Sequence, residues 1–202
     1  MVTSLMLCVQ LGSPVAPAHT MQAGDSARVK HVLESMFPPE YPGPLALRQL
    51  ALPSLPNVLL FVGSRAMEHN TEYALVAMLP DCTVIPLGAR LNRQILHNAY
   101  RTQIVRRPVE QYALDLAVLD GAVPVNATIV SDTSALPQWA RDEVKRLHVS
   151  VVPPTHRANG DGIEDVTMYL WADSLWYLRV RITRNPWHDS VDAELVIGNP
   201  PG

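Results

Sequence analysis

The sequence predicts an α+β fold: a single domain with two mainly antiparallel β-meanders and about three to four helices packed against them. Two groups of short apolar segments are joined by brief turns, as in antiparallel sheets. Apolar residues recur at helical spacing before and between these groups, without the regular strand–helix alternation of a parallel sheet. The chain has 202 residues, 48% hydrophobic and 17% charged, which is the length of one domain with enough apolar residues for a core.

The first residues resemble the second half of a secretory signal peptide. Residues 5–11 form a short apolar run, and 16–18, Ala-Pro-Ala, have the A-x-A arrangement that leader peptidase accepts. The basic start of such a peptide is missing, and the run is far shorter than a membrane span. We predict that residues 1–23 are a signal peptide or a disordered N-terminus. The predicted location is periplasmic or secreted, with a cytoplasmic location as the alternative.

Residues 24–57 are predicted to hold one short helix and a proline-rich connector. Apolar residues recur at helical spacing over 25–36, and Pro38-Pro39 ends this helix. Four further prolines follow, and proline cannot donate to the hydrogen-bond ladder of a central strand. This stretch is therefore expected to wrap the surface of the remaining segment, 58–202, which forms the single α+β domain.

The first meander and two helices open that domain. Apolar segments at 58–62, 73–79 and 83–87 predict three strands that are separated by short polar stretches. A helix over 91–102 follows, and a second over 109–120 is opened by Pro108 and closed by Gly121. The first of these helices has one apolar face, formed by residues one turn apart: Leu91, Ile95 and Ala99.

A strand and a third helix lead toward the second meander. The strand is predicted over 123–130, and Ser134 is a residue type that caps the N-terminus of a helix, which continues through Leu147. A short strand at 149–152 and a loop at 155–165 come next. The clearest strand pattern of the chain then follows in three alternating segments, at 166–172, 175–183 and 191–197.

One face of the second meander is predicted to collect aromatic and arginine side chains. The favoured register places Met168 and Leu170 in the core with Leu178, whereas the alternative would turn the Trp176 side of its strand outward. Rigid rings and planar guanidinium groups suit a ligand, a peptide, a glycan or a subunit interface. Ordinary cross-strand pairing or cover by a helix is the other interpretation. The predicted binding surface consists of Tyr169, Trp171, Tyr177, Arg179 and Arg181, with Trp187 nearby.

Two clusters of histidine and carboxylate residues are candidate metal sites, because these side chains bind transition metals and move protons. Neither matches a known motif, and a solvated loop or the wet side of an edge strand explains each equally well. The clusters are Glu68, His69 and Glu72 between the first two strands, and His188, Asp192 and Glu194 along the last strand. The glycine-rich stretch 159–165 offers oxygen ligands for Ca²⁺ but lacks the EF-hand pattern, and Cys82 is interpreted as an ordinary turn or strand residue.

Charge and motifs restrict the function classes. Sixteen Lys and Arg against nineteen Asp and Glu give a net charge of −3, so no basic field holds a nucleic acid. No phosphate-binding loop, dinucleotide fingerprint or nucleophile elbow occurs, and no cofactor is predicted. We predict an exported bacterial, non-catalytic binding or assembly module whose partner is a protein, a peptide, a glycan or a second copy. The alternatives are a metal-assisted hydrolase that uses one of the two histidine clusters, and a cytoplasmic accessory protein.

Overall fold

A computed structural model describes residues 23–39, 43–66, 71–100, 104–184 and 188–198. Within these ranges lie two antiparallel sheets, of four and five strands, and four helices, which confirms the predicted α+β class. The predicted leader or disordered segment, 1–23, lies outside the described residues except for its last residue, where the first helix begins. None of the helices in the described ranges is long and apolar enough to cross a membrane.

The first helix packs against one face of the first sheet. Helix α1, Ala23–Met36, confirms the predicted short helix, and its buried Val29 and Leu33 pack against the sheet. The sheet contains β1, Ala46–Leu50, β2, Leu59–Ala66, β3, Thr71–Met78, and β4, Val84–Pro86, in that order. Gly63 of β2 makes the close packing possible, because a Cβ at this position would lie 3.1 Å from the Leu33 side chain.

Strand β1 corrects the prediction for the proline-rich stretch, which was expected to contain only a connector. The strand pairs antiparallel with β2, with Ala46 opposite Ser64 and Leu50 opposite Leu60. It is the edge of its sheet, so prolines can flank it without interrupting a central ladder. The stretch therefore extends the first sheet, and after β1 it contributes Leu52 and Leu55 to the core.

Helix α3 connects the two sheets. It spans Val109–Leu119, and nearly all its side chains are buried in a core that also contains inner residues of β2 and β3. The same core includes Met168, Leu170 and Leu178 of the second sheet. The predicted end of the helix is confirmed at Gly121, whose φ of +66° is readily adopted by glycine. Helix α3 thus lies in a core that it shares with both sheets.

Helix α2, Arg90–Ala99, does not bury the apolar face that its sequence predicts. Leu91 is 66% exposed and Ile95 is also exposed, whereas Leu96 and Tyr100 on the other side of the helix are buried. Two polar residues share the buried side, Arg93 and His97, which are only 3% and 5% exposed. The helix is therefore oriented by polar partners as well as by apolar contacts.

The second sheet is built around a long central hairpin. Strand β7, Ile163–Trp171, pairs with β8, Leu175–Ile182, which in turn pairs with the edge strand β9, Ser190–Ile197. The other edge of β7 is shared by two short strands, β5, Thr128–Val130, and β6, Thr155–Asn159. We call the face directed toward α3 the inner face and the opposite one the outer face.

Three predictions around this sheet were wrong. The loop expected at 155–165 is a hairpin, because its polar residues continue the ladder as β6 and the start of β7. The segment 149–152 pairs with no described strand, and the strand expected at 123–130 is only three residues long. The polar segment was predicted to be a loop and the apolar segments to be strands. Strand formation depends here on which segments are neighbours in space, and local polarity does not contain that information.

Helix α4 covers one end of the outer face. It spans Gln138–Arg146, and its Ala140 and Val144 pack with Leu175 of β8. Ser134 is not its N-terminal cap, because this residue lies in a separate 3₁₀ turn, Thr133–Ala135. The carboxylate of Asp132 caps that turn by accepting the Ser134 N–H at 2.6 Å.

Candidate functional site

The favoured register of the second meander is confirmed. Tyr169 stands opposite Tyr177 and Thr167 opposite Arg179, while Met168 and Leu178 form the adjacent pair on the inner face. A slip by one residue would have moved these apolar side chains to the outer face. The predicted aromatic and arginine residues of β7 and β8 therefore share the outer face.

Two tyrosines and one arginine lie side by side on this face. Arg179 is exposed and Tyr177 is half-buried, whereas Tyr169 packs partly against the apolar cluster that α4 contributes to. The ring centroids of Tyr169 and Tyr177 are 5.1 Å apart with an interplanar angle of 47°. The guanidinium carbon of Arg179 lies 5.2 Å from the centroid of the Tyr177 ring, a cation–π distance. Partial burial, followed by the proximity of Tyr177 and Glu194, raises the pKa of Tyr169. We call Tyr169, Tyr177 and Arg179 the tyrosine–arginine patch.

The other predicted residues of the surface are engaged or lie outside the described ranges. Trp171 packs against Trp139 of α4, with ring centroids 5.6 Å apart, so helix cover was the correct interpretation at this end. Arg181 forms an ion pair with Asp165, with Nε 2.9 Å from Oδ1. Trp187 lies outside the described residues. The surface is thus narrower than predicted.

Arg179 differs from the other arginines near it. Its side chain is exposed, and it forms no ion pair with any residue in the described ranges. Arg107, by comparison, donates two hydrogen bonds to Glu164. Asp192 and Glu194 of β9 stand opposite Arg179 and Tyr177 in the ladder, so the patch has both charge signs at its border.

The candidate metal clusters do not form a metal site among the residues that the structure describes. No group of three His, Cys, Asp or Glu residues in the described part of the chain could hold a metal ion, and this includes His188, Asp192 and Glu194. Asp192 and Glu194 do share the outer face, but His188 precedes the strand. Glu68 and His69 lie outside the described residues, and Glu72 stands opposite Arg65 on β2.

Two minor candidates are explained by local structure. Residues 159–165 form the β6–β7 hairpin, in which the Asn159 amide donates to the Asp165 carboxylate at 3.2 Å. Gly162 has a φ of +73°, as expected for glycine in such a turn. Cys82 lies in the turn after β3, where its N–H donates to the Leu79 carbonyl at 2.9 Å, in agreement with its interpretation as an ordinary turn residue.

A buried polar cluster was missed by the sequence analysis. Its centre is Asp189, only 1% exposed, whose carboxylate accepts from the Thr183 N–H at 2.6 Å and the Thr183 hydroxyl at 3.1 Å. The Tyr112 hydroxyl donates to the other carboxylate oxygen at 3.2 Å. Burial raises the pKa of Asp189, although these hydrogen bonds and the Arg106 charge oppose the shift. The cluster joins α3 to the segment between β8 and β9.

Helix α2 supplies the cationic part of this cluster. Arg93 forms an ion pair with Asp120 and donates to the Asp189 backbone carbonyl at 3.2 Å. His97 lies one turn further along, and neither of its ring nitrogens has a hydrogen-bond partner among the described residues. Burial, together with the charges of Arg93 and Arg106, lowers the pKa of His97 to about 4. The histidine is therefore neutral at neutral pH.

The cluster holds elements together rather than meeting a substrate, because Arg93, His97 and Asp189 are all buried. The spacing of Arg93 and His97, one helical turn apart, was the only sequence signal for it. Comparison with known proteins adds no further assignment, since no protein-family model, curated protein or solved structure matches the chain. The chain's own residues must therefore indicate its function.

Proposed function

We propose that the protein is a non-catalytic binding module whose tyrosine–arginine patch docks a partner protein in the cell envelope. The observation that carries this proposal is the exposed Arg179 guanidinium, which lies against a tyrosine ring without an ion-pair partner among the described residues. Tyrosine and arginine are enriched among the residues that dominate protein–protein binding energy. An arginine in this state can donate hydrogen bonds to a carboxylate of the partner.

The second support for the proposal is that the sheet holds the patch residues in fixed positions. Tyr169 and Tyr177 project from paired central strands, so their positions are set before a partner arrives and little conformational entropy is lost on binding. The border of Asp192 and Glu194 supplies acceptors for donors of the partner. A partner segment with one carboxylate and an aromatic or apolar side chain fits this combination. A peptide, a glycan or a second copy of the chain are the other candidate partners for this surface.

Site-specific photo-cross-linking in the protein's own cells tests the proposal. Photoreactive p-benzoylphenylalanine would replace the exposed Ser190, which borders the patch on β9, or the exposed Gln49 on the opposite sheet. We expect a discrete protein adduct only at position 190. Arg179→Ala should reduce its yield about tenfold, the effect of losing one dominant contact, whereas Arg48→Ala, which removes an exposed arginine of β1, should leave it unchanged.

The outcomes separate the possible partners. An adduct whose yield is insensitive to Arg179→Ala, or no protein adduct at position 190, would contradict the proposal. An adduct with the mass of two chains would identify a second copy and contradict docking of a different protein. Because Arg179 is exposed, Arg179→Ala should change the free energy of unfolding by less than about 0.5 kcal/mol, so a loss of cross-linking is not a loss of fold.

We propose further that the module is exported. The support is the apolar run at 5–11 and the Ala-Pro-Ala sequence at 16–18. Intact mass measurement of the protein isolated from its own cells should give a chain that begins near His19. A chain that retains residues 1–18 would contradict export through cleavage at this point, whatever the cross-linking experiment shows.

A further inference from the structure

A cleft of about 940 Å³ lies between the two sheets, on the other side of β8 from the tyrosine–arginine patch. Trp176 lines it from the inner face of β8, whereas its neighbour Tyr177 points to the outer face. The start of β3 contributes Tyr73 to the lining, and Phe37, which directly follows α1, also lines the cleft. A volume of several hundred cubic ångströms between structural layers is typical of small-molecule sites.

The lining of the cleft is aromatic and acidic. Three aromatic residues and two carboxylates, Glu72 and Asp173, contribute to it, and it contains no Lys, Arg or His among the described residues. Glu72 stands opposite Arg65, so part of its charge is compensated across the strands. Asp173 is exposed in the β7–β8 turn and forms no ion pair within the described ranges. Asp173 is therefore the carboxylate best placed to attract a ligand.

We propose that this cleft binds a small organic cation, an amine or quaternary ammonium group with an apolar body. The negative faces of aromatic rings attract such cations, and a nearby carboxylate adds direct attraction. The Phe37 ring is already covered by the Arg65 guanidinium, 5.3 Å from its centroid, so Trp176 and Tyr73 are the rings left for a ligand. The apolar walls, which include Leu75 and Val123, accommodate the body of the ligand.

A titration followed by NMR tests the site with three matched probes. Benzyltrimethylammonium carries the proposed charge, benzyl alcohol is neutral and phenylacetate is anionic. We expect the cation alone to shift the Trp176 indole N–H and the amides of 172–174 in a saturable manner. The neutral and anionic probes should leave these resonances unchanged at the same millimolar concentrations.

Variants of the lining residues identify the contacts. Asp173→Asn should weaken cation binding about fivefold, and asparagine tolerates the φ of +60° at this position. Tyr73→Leu should weaken it about threefold while Tyr73→Phe keeps the affinity, since the ring and not the hydroxyl attracts the cation. Asp161→Asn removes an exposed turn carboxylate that does not line the cleft and is the matched control.

Several results would overturn the assignment. These are a cation that causes no saturable shift at the cleft, equal binding of phenylacetate, and an affinity that does not respond to either Asp173→Asn or Tyr73→Leu. The site is independent of the proposed protein-docking function, because Arg179→Ala acts on the outer face and should leave the cation affinity unchanged. Failure of one experiment therefore does not decide the other.

Discussion

Replacing Asp189 with Ala is expected to lower the free energy of unfolding by about 4 kcal/mol. The carboxylate accepts three hydrogen bonds, from the Thr183 N–H, the Thr183 hydroxyl and the Tyr112 hydroxyl. All three donors would lose this acceptor, and Asp189 itself is almost completely buried. An unsatisfied buried donor costs the desolvation energy that its bond had offset. Urea-induced unfolding at neutral pH measures the difference.

The matched variant is Asp189→Asn, which keeps the shape and one acceptor oxygen. That oxygen can still accept both donors of Thr183, so only the contact to Tyr112 must rearrange. We expect this variant to lose about 1 kcal/mol. Equal losses in the two variants would show that negative charge, and not hydrogen-bond acceptance, is what the cluster requires.

Acidification is expected to destabilise the protein through His97. Its pKa is lowered from the ordinary value of 6.5 to about 4, first by burial and then by the charges of Arg93 and Arg106. Between these two pH values the unfolded chain binds a proton that the folded chain does not, so stability falls as the pH is lowered from 6.5 to 4. The shift corresponds to about 3 kcal/mol, lost mainly within this window.

The variant His97→Leu tests this assignment. Because neither ring nitrogen has a described hydrogen-bond partner, leucine should leave the stability at pH 7 unchanged or slightly increased. Urea unfolding at a series of pH values should show that the wild type loses stability between pH 6.5 and 4 and that the variant loses much less. His31→Gln, at an exposed position of α1, is the control and should retain the wild-type slope. A variant with the same slope as the wild type would refute the role of His97.

The register of the second meander could be predicted because one face of its strands is consistently apolar. Met168, Leu170 and Leu178 had to reach the core together, and this requirement fixed the positions of Tyr169, Tyr177 and Arg179. The tyrosine–arginine patch was thus available from local alternation alone. The boundary of the patch could not be predicted in this way, since Trp171 is covered by Trp139 of a helix that lies elsewhere in the sequence.

Helix α2 shows why local pattern failed elsewhere. Its spacing indicated a face of Leu91, Ile95 and Ala99, but the structure buries Arg93 and His97 instead. The partners of Arg93 are Asp120 and the Asp189 carbonyl, which lie 27 and 96 positions away along the chain. The burial of a charged residue is decided by such distant partners, and a helical wheel contains no information about them. Strand β6 was missed for a related reason, since its exposed polar residues lack the alternation of a half-buried strand.

The pairing of strands with their neighbours in the chain affects how quickly the fold can form. Of the seven pairings among the described strands, six join consecutive strands, and only β5 with β7 skips one. Closing short loops costs little entropy, so each sheet can assemble rapidly from local hairpins. During vectorial synthesis the first sheet is complete before the second has left the ribosome. Helix α3 packs with both sheets, so one of its apolar sides stays exposed until the second sheet has been synthesised. Exposed apolar surface favours aggregation of the nascent chain during this interval.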